Sequence, residues 1–185
     1  MDVRMWFEWD AVKSNDVQKL SLKSSEKLLH QLEDVGLQLA LTFNDGGFVL
    51  AVGGEDGKLR VFKWPSMEFI LDEANAHASV KYLDFSPDEK YLVSLGSGGP
   101  GRVWNVDSST SIASLTKEND EVFGFCRFSQ ASDKNLVLYV IAMQEQGGSI
   151  VKWNNTSWKR MSSKRIVRGP VSAFKASTDG KLLAV

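Results

Sequence analysis

The chain has 185 residues, about one domain's worth, with an apolar share of 43% and a formal net charge of −1. This composition is ordinary for a globular protein, and it excludes a disordered tail, a collagen and a strongly basic nucleic-acid binder. The longest apolar run, Leu136 to Met143, is far shorter than the about 20 residues of a membrane-spanning helix. We therefore expect no membrane segment in these residues.

The beginning of the chain and its cysteine content indicate a cytosol-facing compartment. No basic segment leads into a long apolar one at the N-terminus, so a secretory signal is not predicted. The single cysteine, Cys126, excludes an intrachain disulfide. One cysteine and two histidines are also too few nitrogen and sulfur ligands for a closed structural zinc site.

Residues 1–36 are predicted to be the end of a preceding structural unit and a connector. Arg4 to Trp9 is typical of one strand, and Val17 to Leu22 of the next. Residues 27–35 carry apolar side chains at helical spacing, so a short helix remains an alternative to strand and loop there. Strand and loop are favoured because the next apolar residues alternate with polar or small ones, as a strand requires; they are Leu37, Leu39, Leu41 and Phe43.

From residue 37 onward the chain repeats one plan of short apolar runs separated by turn residues. Two aromatic positions mark each repeat; they are Phe43 and Phe62, Phe85 and Trp104, and Phe128 and Trp153. The first two repeats are offset by 42 residues. The third is longer, and we place its additional residues in the loop at 144–148. A period of about 40–45 residues is typical of the four-stranded blade of a WD-type propeller.

The repeats predict an all-β fold, a partial WD-repeat β-propeller of four-stranded antiparallel sheets. They correspond to about three to four blades of a seven-bladed ring. After the connector region 1–36, the blades are placed at 37–78, 79–119 and 120–169, and a truncated blade begins at 170–185. Blades are stabilised by neighbours that cover both faces of each sheet. We therefore expect part of a longer polypeptide, with two apolar blade faces left uncovered.

Several residues could carry chemistry, but each has a structural interpretation that we favour. Gly96 to Gly101 is glycine-rich, yet strand residues follow it in place of Lys-Ser/Thr at a helix start, which predicts a hairpin and not a phosphate loop. His77 stands where WD-repeat histidines bond an Asp, a Ser or Thr, and the Trp of their own blade. Ser94 and Trp104 are present, but a glycine replaces the Asp, so we expect an incomplete structural network. Cys126 lies in an alternating apolar segment, Val122 to Phe128, which predicts a small buried side chain.

The charged runs are interpreted in the same way. Glu118, Asp120 and Glu121 are expected in a solvated loop, and His30 on a surface loop or helix. The basic run from Trp158 to Arg168 predicts a solvated outer strand and loop, or alternatively a surface that steers an acidic partner or an anionic membrane. No catalytic, cofactor-binding or metal-binding residue is assigned from the sequence.

A specific resemblance is carried by the segment from Gly54 to Met67, which ends in Trp-Pro-Ser-Met, together with residues 73–80 and 92–96. These residues resemble the plant Sec-twelve-like proteins, relatives of the prolactin regulatory element-binding protein and of the phosphate transporter traffic facilitator. The resemblance covers the chain from about Val3 onward.

The resemblance implies a fragment of a membrane-anchored guanine-nucleotide exchange factor on the cytosolic face of the endoplasmic reticulum. Such a protein activates a Sar-type small GTPase to start COPII vesicle formation in ER-to-Golgi transport. The GTPase is the implied partner, with the COPII coat or membrane cargo as further ones, and nucleic acid is not a partner. The alternative is a non-catalytic WD-repeat adaptor that assists ER exit of membrane cargo.

The resemblance also implies that parts of the family's machinery lie elsewhere. Its potassium-binding loop, which contacts the GTPase, would lie upstream of Met1, and its single membrane helix beyond Val185. We therefore expect no cofactor in this fragment, carry over no exchange residue to it, and expect it to be inactive alone.

Overall fold

The computed structural model describes residues 2–4, 7–14, 17–24, 28–31, 36–118, 120–130, 136–177 and 181–185. The chain divides into two compact units, Met1–Leu37 and Gln38–Val185. All regular elements in these described ranges are β-strands.

The first unit consists of two antiparallel pairs of strands. Strand β1 (Asp2–Arg4) pairs with β4 (Leu28–Gln31), and β2 (Phe7–Ser14) pairs with β3 (Val17–Ser24). The strand at β4 agrees with the favoured interpretation of residues 27–35, although residue 27 and residues 32–35 lie outside the described part. His30 was expected on a surface loop or helix; this expectation is wrong, because the backbone of His30 belongs to β4.

The second unit contains three four-stranded antiparallel sheets and a short pair of strands. Each sheet is a meander in which neighbours in sequence pair in space, so the predicted blade topology is confirmed. The strands are β5 (Gln38–Phe43), β6 (Val49–Gly54), β7 (Leu59–Lys63) and β8 (Glu68–Glu73); β9 (Ser79–Phe85), β10 (Tyr91–Ser97), β11 (Gly101–Asn105) and β12 (Thr110–Leu115); β13 (Val122–Gln130), β14 (Leu136–Gln144), β15 (Gly147–Asn154) and β16 (Arg160–Val167); and β17 (Lys175–Ala176) with β18 (Leu183–Ala184).

Short polar side chains at the end of a first strand close the hairpin turns that follow. Ser86 Oγ accepts the backbone N–H of Tyr91, and Ser177 Oγ accepts that of Leu182, each at 2.9 Å. Asn44 accepts two turn N–H groups in the same place of its own repeat. These side chains satisfy backbone donors that the turns leave unpaired, so they help to set the register of the hairpins.

The core of the second unit lies between successive sheets. One cluster joins the first and second sheets and includes Ala51, Val61, Leu92 and Trp104; another joins the second and third and includes Val93, Val103, Leu138 and Trp153. Each large apolar side chain buried in this way stabilises the fold by about 1.5–3 kcal/mol. Trp104 of the second sheet therefore packs against the first sheet, and Trp153 of the third sheet packs against the second.

The third sheet corrects the predicted position of some of its additional residues, those between Leu138 and Trp153. Trp104 pairs with Leu92, twelve positions earlier, whereas Trp153 pairs with Leu138, fifteen positions earlier. The third sheet thus has three more residues between the paired positions. Because β14 and β15 remain paired up to the turn at 145–146, these residues lengthen the two strands. The expectation of a longer loop at this turn is wrong, since backbone hydrogen bonds satisfy the extra residues within the sheet.

One face of the first sheet is apolar and exposed. Along β5, Leu39, Leu41 and Phe43 alternate with less exposed residues, and their side chains are 41%, 61% and 42% exposed. Three neighbouring apolar side chains on one strand are unusual on the surface of a soluble monomer, because such patches promote association.

We predict that the chain of 185 residues self-associates through this face. Leu41→Lys is expected to lower the associated fraction by more than about half, since a charge must then be desolvated on contact. Size-exclusion chromatography with light scattering measures the change. Ile112→Lys, at an exposed position of β12, is the control and should leave association unchanged. A monodisperse monomer for the unmodified chain would contradict the prediction.

Candidate functional site

Loops at one end of the three sheets form a surface that we call the turn face. It consists of the turns between second and third strands, at 55–58, 98–100 and 145–146, and the described residues of the connectors into the next sheet, at 74–78, 116–118, 120–121 and 168–174. A connector is tied to the turns on both sides of it: His77 N–H donates to Gly57 O at 3.2 Å, and Ala78 N–H donates to Ser97 O at 3.1 Å. The turn face is therefore held by backbone bonds between sheets.

A three-residue hydrogen-bond network lies directly beneath this face. Trp104 Nε1–H donates to Ser94 Oγ at 2.9 Å, and His77 Nε2 lies 2.8 Å from the same oxygen. Ser94 is fully buried, and within the described structure these are the partners of its hydroxyl. The predicted network of His77, Ser94 and Trp104 is confirmed.

The network also assigns the tautomer of His77. Because the indole of Trp104 can only donate, the Ser94 hydroxyl accepts there and needs an acceptor for its own proton. His77 Nε2 is the acceptor within reach, so the neutral imidazole carries its hydrogen on Nδ1. The His77 ring also forms a hydrogen bond with the backbone of Ser94.

Two glycines make room for His77, a role that their positions in the sequence did not indicate. A Cβ on Gly96 would lie 2.0 Å from Ser79 O and 2.8 Å from the His77 ring. A Cβ on Gly57, whose φ is +72°, would lie 2.1 Å from His77 O. Neither position has space for a larger residue. The glycine-rich segment that includes Gly96 is a hairpin between β10 and β11, as predicted.

The surroundings of His77 disfavour its charged form. Burial, together with the nearby charges of Arg102 and Lys117, lowers the pKa of His77 from 6.5 to about 4. The histidine is therefore neutral at pH 7. This supports a structural donor and acceptor rather than a general base, which would work best with a pKa near the working pH.

Asp84 on β9 joins the second and third sheets, a contact that was not predicted from the sequence. Asp84 Oδ2 accepts the N–H of Phe128 at 2.6 Å, and Oδ1 lies 3.3 Å from Arg127 Nη1. Burial outweighs these contacts and raises the pKa of Asp84 from 3.8 to about 6.

We predict opposite pH dependences for these two groups. The lowered pKa of His77 stabilises the fold above pH 6.5, and this contribution is lost as the pH falls toward 4. The raised pKa of Asp84 stabilises the fold below pH 3.8, and this contribution is lost as the pH rises through 6. The two effects offset each other in the unmodified chain.

The substitution His77→Gln isolates the contribution of His77 to the pH dependence, because glutamine can bond Ser94 but does not titrate. Between pH 6.5 and 4 the unmodified chain should lose about 1–2 kcal/mol more stability than the variant. Urea unfolding across this pH range measures the difference. Parallel pH profiles for the two proteins would show that His77 is not responsible.

The acidic residues of the connector at 116–121 divide into two kinds. Glu118 and Asp120 are exposed as expected, but Glu121 is buried. Arg160 forms two bonds of 2.8 Å with the two carboxylate oxygens of Glu121, and Glu118 Oε1 lies 3.3 Å from Arg160 Nε. The solvated-loop expectation is therefore wrong for Glu121, because a guanidinium 39 residues away in the chain compensates its burial.

The basic run from Trp158 to Arg168 forms β16 and its flanks, the outer strand of the third sheet, as predicted. Arg160 at its start belongs to the ion pair with Glu121. Lys164 and Arg165 are exposed, and Arg165 donates to Gln146 O. The surface charge of this strand is therefore smaller than the sequence alone indicates.

The remaining candidates form no reactive centre in the described structure. Cys126 is buried, so the predicted small buried side chain is confirmed, and burial raises the pKa of its thiol well above the usual value. Among the described residues there is no group of three or more His, Cys, Asp or Glu side chains placed to hold a metal ion. None of the described segments is a helix long and apolar enough to span a membrane.

Comparison with known proteins identifies relatives along nearly the whole chain. SEC12-like protein 2 of Arabidopsis thaliana is 51% identical over 97% of this chain and 45% of its own length. SEC12-like protein 1 of the same plant is 34% identical over 86% of this chain and 40% of its own length. The chain belongs to the SEC12-like family.

More distant relatives of this SEC12-like chain include the guanine nucleotide-exchange factor SEC12 of Mus musculus, 25% identical over 90% of the chain and 43% of the relative. The chain thus spans less than half the length of the relatives it matches. No family model matches it.

Solved structures with low sequence identity show the fold. The WD40 repeats of RRP9 superpose with a TM-score of 0.63 at 17% identity, over 75% of this chain and 41% of that one. Hydrazine synthase of Kuenenia stuttgartiensis superposes with a TM-score of 0.68 at 13% identity, over 83% of this chain and 44% of that one. The SEC12-like chain has the sheets of a WD-type propeller.

Proposed function

We propose that this chain is part of an endoplasmic-reticulum exchange factor that activates a Sar-type small GTPase and so starts COPII vesicle formation. The observation that carries the proposal is the sequence similarity. The chain is 51% identical to a SEC12-like protein. Over 90% of its own residues, it also matches a protein named as a guanine nucleotide-exchange factor. The activity, the location on the cytosolic face of the membrane and the partners are proposed for a protein of the relatives' full length that contains this region.

The proposed activity requires a binding surface and no covalent chemistry. An exchange factor accelerates nucleotide release by binding the nucleotide-free GTPase more tightly than the loaded form, and the shift is limited by that difference in affinity. A rigid arrangement of sheets with loops at one end suits this task. The turn face supplies such loops from three consecutive sheets.

A fluorescence exchange assay tests the proposal. A Sar-type GTPase loaded with a fluorescent GDP analogue is mixed with the complete cytosolic domain that contains this region, and in parallel with the chain of 185 residues. We expect the complete domain to accelerate release by at least about tenfold and the 185-residue chain to leave the intrinsic rate unchanged. No acceleration by the complete, folded domain would contradict the proposal.

A binding assay separates the adaptor alternative from the exchange factor. An exchange factor binds the nucleotide-free GTPase in preference to the GDP-bound and GTP-bound forms. A WD-repeat adaptor for membrane cargo would retain cargo without this preference and without a change in exchange rate. Pull-down of the GTPase in its three nucleotide states by the complete domain distinguishes the two.

A further inference from the structure

Two arginines occupy the same position in the first and second sheets but differ in their surroundings. Arg60 pairs with Val52 across β7 and β6, and Arg102 pairs with Ser94 across β11 and β10. Asp56, four residues before Arg60, forms an ion pair with it at 2.6 Å. The residue four positions before Arg102 is a glycine. The first sheet therefore supplies a carboxylate to its arginine from within the chain, and the second sheet does not.

Arg102 makes no ion pair with any of the described residues, although its side chain is only partly exposed. Its guanidinium carbon lies 5.8 Å from the centre of the Trp104 ring, within the range of a cation–π contact. This contact holds the guanidinium at the turn face but provides no negative charge. A partly buried guanidinium in this position lacks the acceptor that its geometry suits.

A pocket of about 180 Å³ opens beside this arginine. It is lined by Arg102 and by residues 75–78 and 98–100, which include His77 and Gly98. His77 lies in the wall of this pocket, so its ring reports on what the pocket binds. Lys117 is not part of the pocket wall; its Nζ lies 5.5 Å from the centre of the Phe123 ring, and its charge acts on His77 from outside the pocket. The pocket thus combines hydrogen-bond donors and positive charge without an anion.

We propose that this pocket binds a carboxylate group supplied by another molecule. The carboxylate accepts hydrogen bonds from the Arg102 guanidinium, and so takes the place that the Asp56 carboxylate has beside Arg60. Two sources have this chemistry: an Asp or Glu side chain of a protein partner, and a small free carboxylate. The site is independent of nucleotide exchange and extends the proposed function by a second recognition element on the turn face.

Nuclear magnetic resonance of the histidine ring tests the proposal on the chain of 185 residues. Sodium acetate, inorganic phosphate and sodium chloride are titrated at constant ionic strength and pH 7. A short acidic peptide, acetyl-Gly-Asp-Glu-Gly-amide, is compared with its Asn-Gln counterpart. We expect acetate and the acidic peptide to shift the His77 ring resonances saturably, and chloride and the neutral peptide to leave them unchanged.

The relative affinities identify the source. An acidic peptide that binds at least about tenfold more tightly than acetate indicates a protein side chain, and equal affinities indicate a small carboxylate. Either result supports the carboxylate site. Tighter binding of phosphate than of either carboxylate probe, or no saturable shift with any probe, would overturn it.

Variants of the arginine link the response to the pocket. Arg102→Gln should weaken acetate binding by at least about tenfold, because it removes the charge and the paired donors. Arg168→Gln, at an exposed position on another connector of the turn face, is the matched control and should bind acetate as the unmodified chain does. Arg102→Lys keeps the charge and the aliphatic stem, and it should give an intermediate affinity.

Arg102→Lys provides a second test of the pocket if Arg102→Gln does not fold. Amide spectra of the strand residues verify the fold of each variant. Unchanged acetate affinity in folded Arg102→Lys or Arg102→Gln would overturn the proposal. Because these measurements contain no GTPase, they succeed or fail independently of the exchange assay.

Discussion

Ser94→Ala is expected to lower the free energy of unfolding by about 2–3 kcal/mol. The Ser94 hydroxyl accepts from the indole of Trp104 and bonds His77, and both the hydroxyl and the indole are buried. Alanine removes the shared partner and leaves a buried N–H and a ring nitrogen unpaired, at about 1–3 kcal/mol for each fully buried group. The cost at His77 is smaller because that ring is only partly buried.

Urea unfolding measures this loss as a lower midpoint with an unchanged slope. Ser114→Ala on β12 is the matched control, because Ser114 is exposed and belongs to the same sheet. Its effect should stay within about 0.5 kcal/mol. Similar losses for the two variants would show that the network does not contribute to stability beyond the packing of the side chain.

Glu121→Gln is expected to lower the free energy of unfolding by about 2–4 kcal/mol. Glu121 and Arg160 are paired through two bonds of 2.8 Å, and their side chains are only 4% and 15% exposed. Removing the carboxylate charge leaves the guanidinium poorly compensated, and breaking such a buried pair costs about 3–5 kcal/mol. Glu118, which also contacts Arg160, reduces the loss somewhat.

The control is a solvent-exposed ion pair of the same chain. Lys63 and Glu68 lie 3.5 Å apart with side chains 63% and 67% exposed, so Glu68→Gln should cost less than about 0.5 kcal/mol. The bond to Arg160 lowers the pKa of Glu121, so its stabilisation is present above pH 4.5 and is lost as the pH falls through the lowered value. Equal effects of the two substitutions would show that burial of the Glu121 pair does not raise the cost of breaking it.

The fold of the described sheets could be predicted because its signals are local or periodic. Alternation of apolar residues along strands, the turn residues between them and the recurrence of Phe62, Trp104 and Trp153 all follow from the sequence. The network of His77, Ser94 and Trp104 was predictable for the same reason, since its members hold fixed positions within one repeat.

In the third sheet, alignment of the repeats explains why the tryptophan lacks the hydrogen bond that Trp104 makes. Val140 takes the position of Ser94 in the pairing with Val151, so the buried Trp153 Nε1 has no acceptor in the described structure. The three extra residues between Leu138 and Trp153 were misplaced because a sequence gives their number but does not show whether paired strands or a loop contain them. Backbone pairing in three dimensions decides between the two.

The sequence alone determined the strand order, the repeat and the family resemblance, because these depend on spacing within about 40 residues and on side-chain periodicity. The tertiary structure decided which charges are compensated. Glu121 meets Arg160, which begins the outer strand of the third sheet, and Asp84 of the second sheet meets Phe128 of the third, only in the folded chain. The Arg102 guanidinium contacts Trp104 but has no carboxylate partner among the described residues. Charge pairing between elements depends on distances that packing sets, and the order of residues along the chain does not contain those distances.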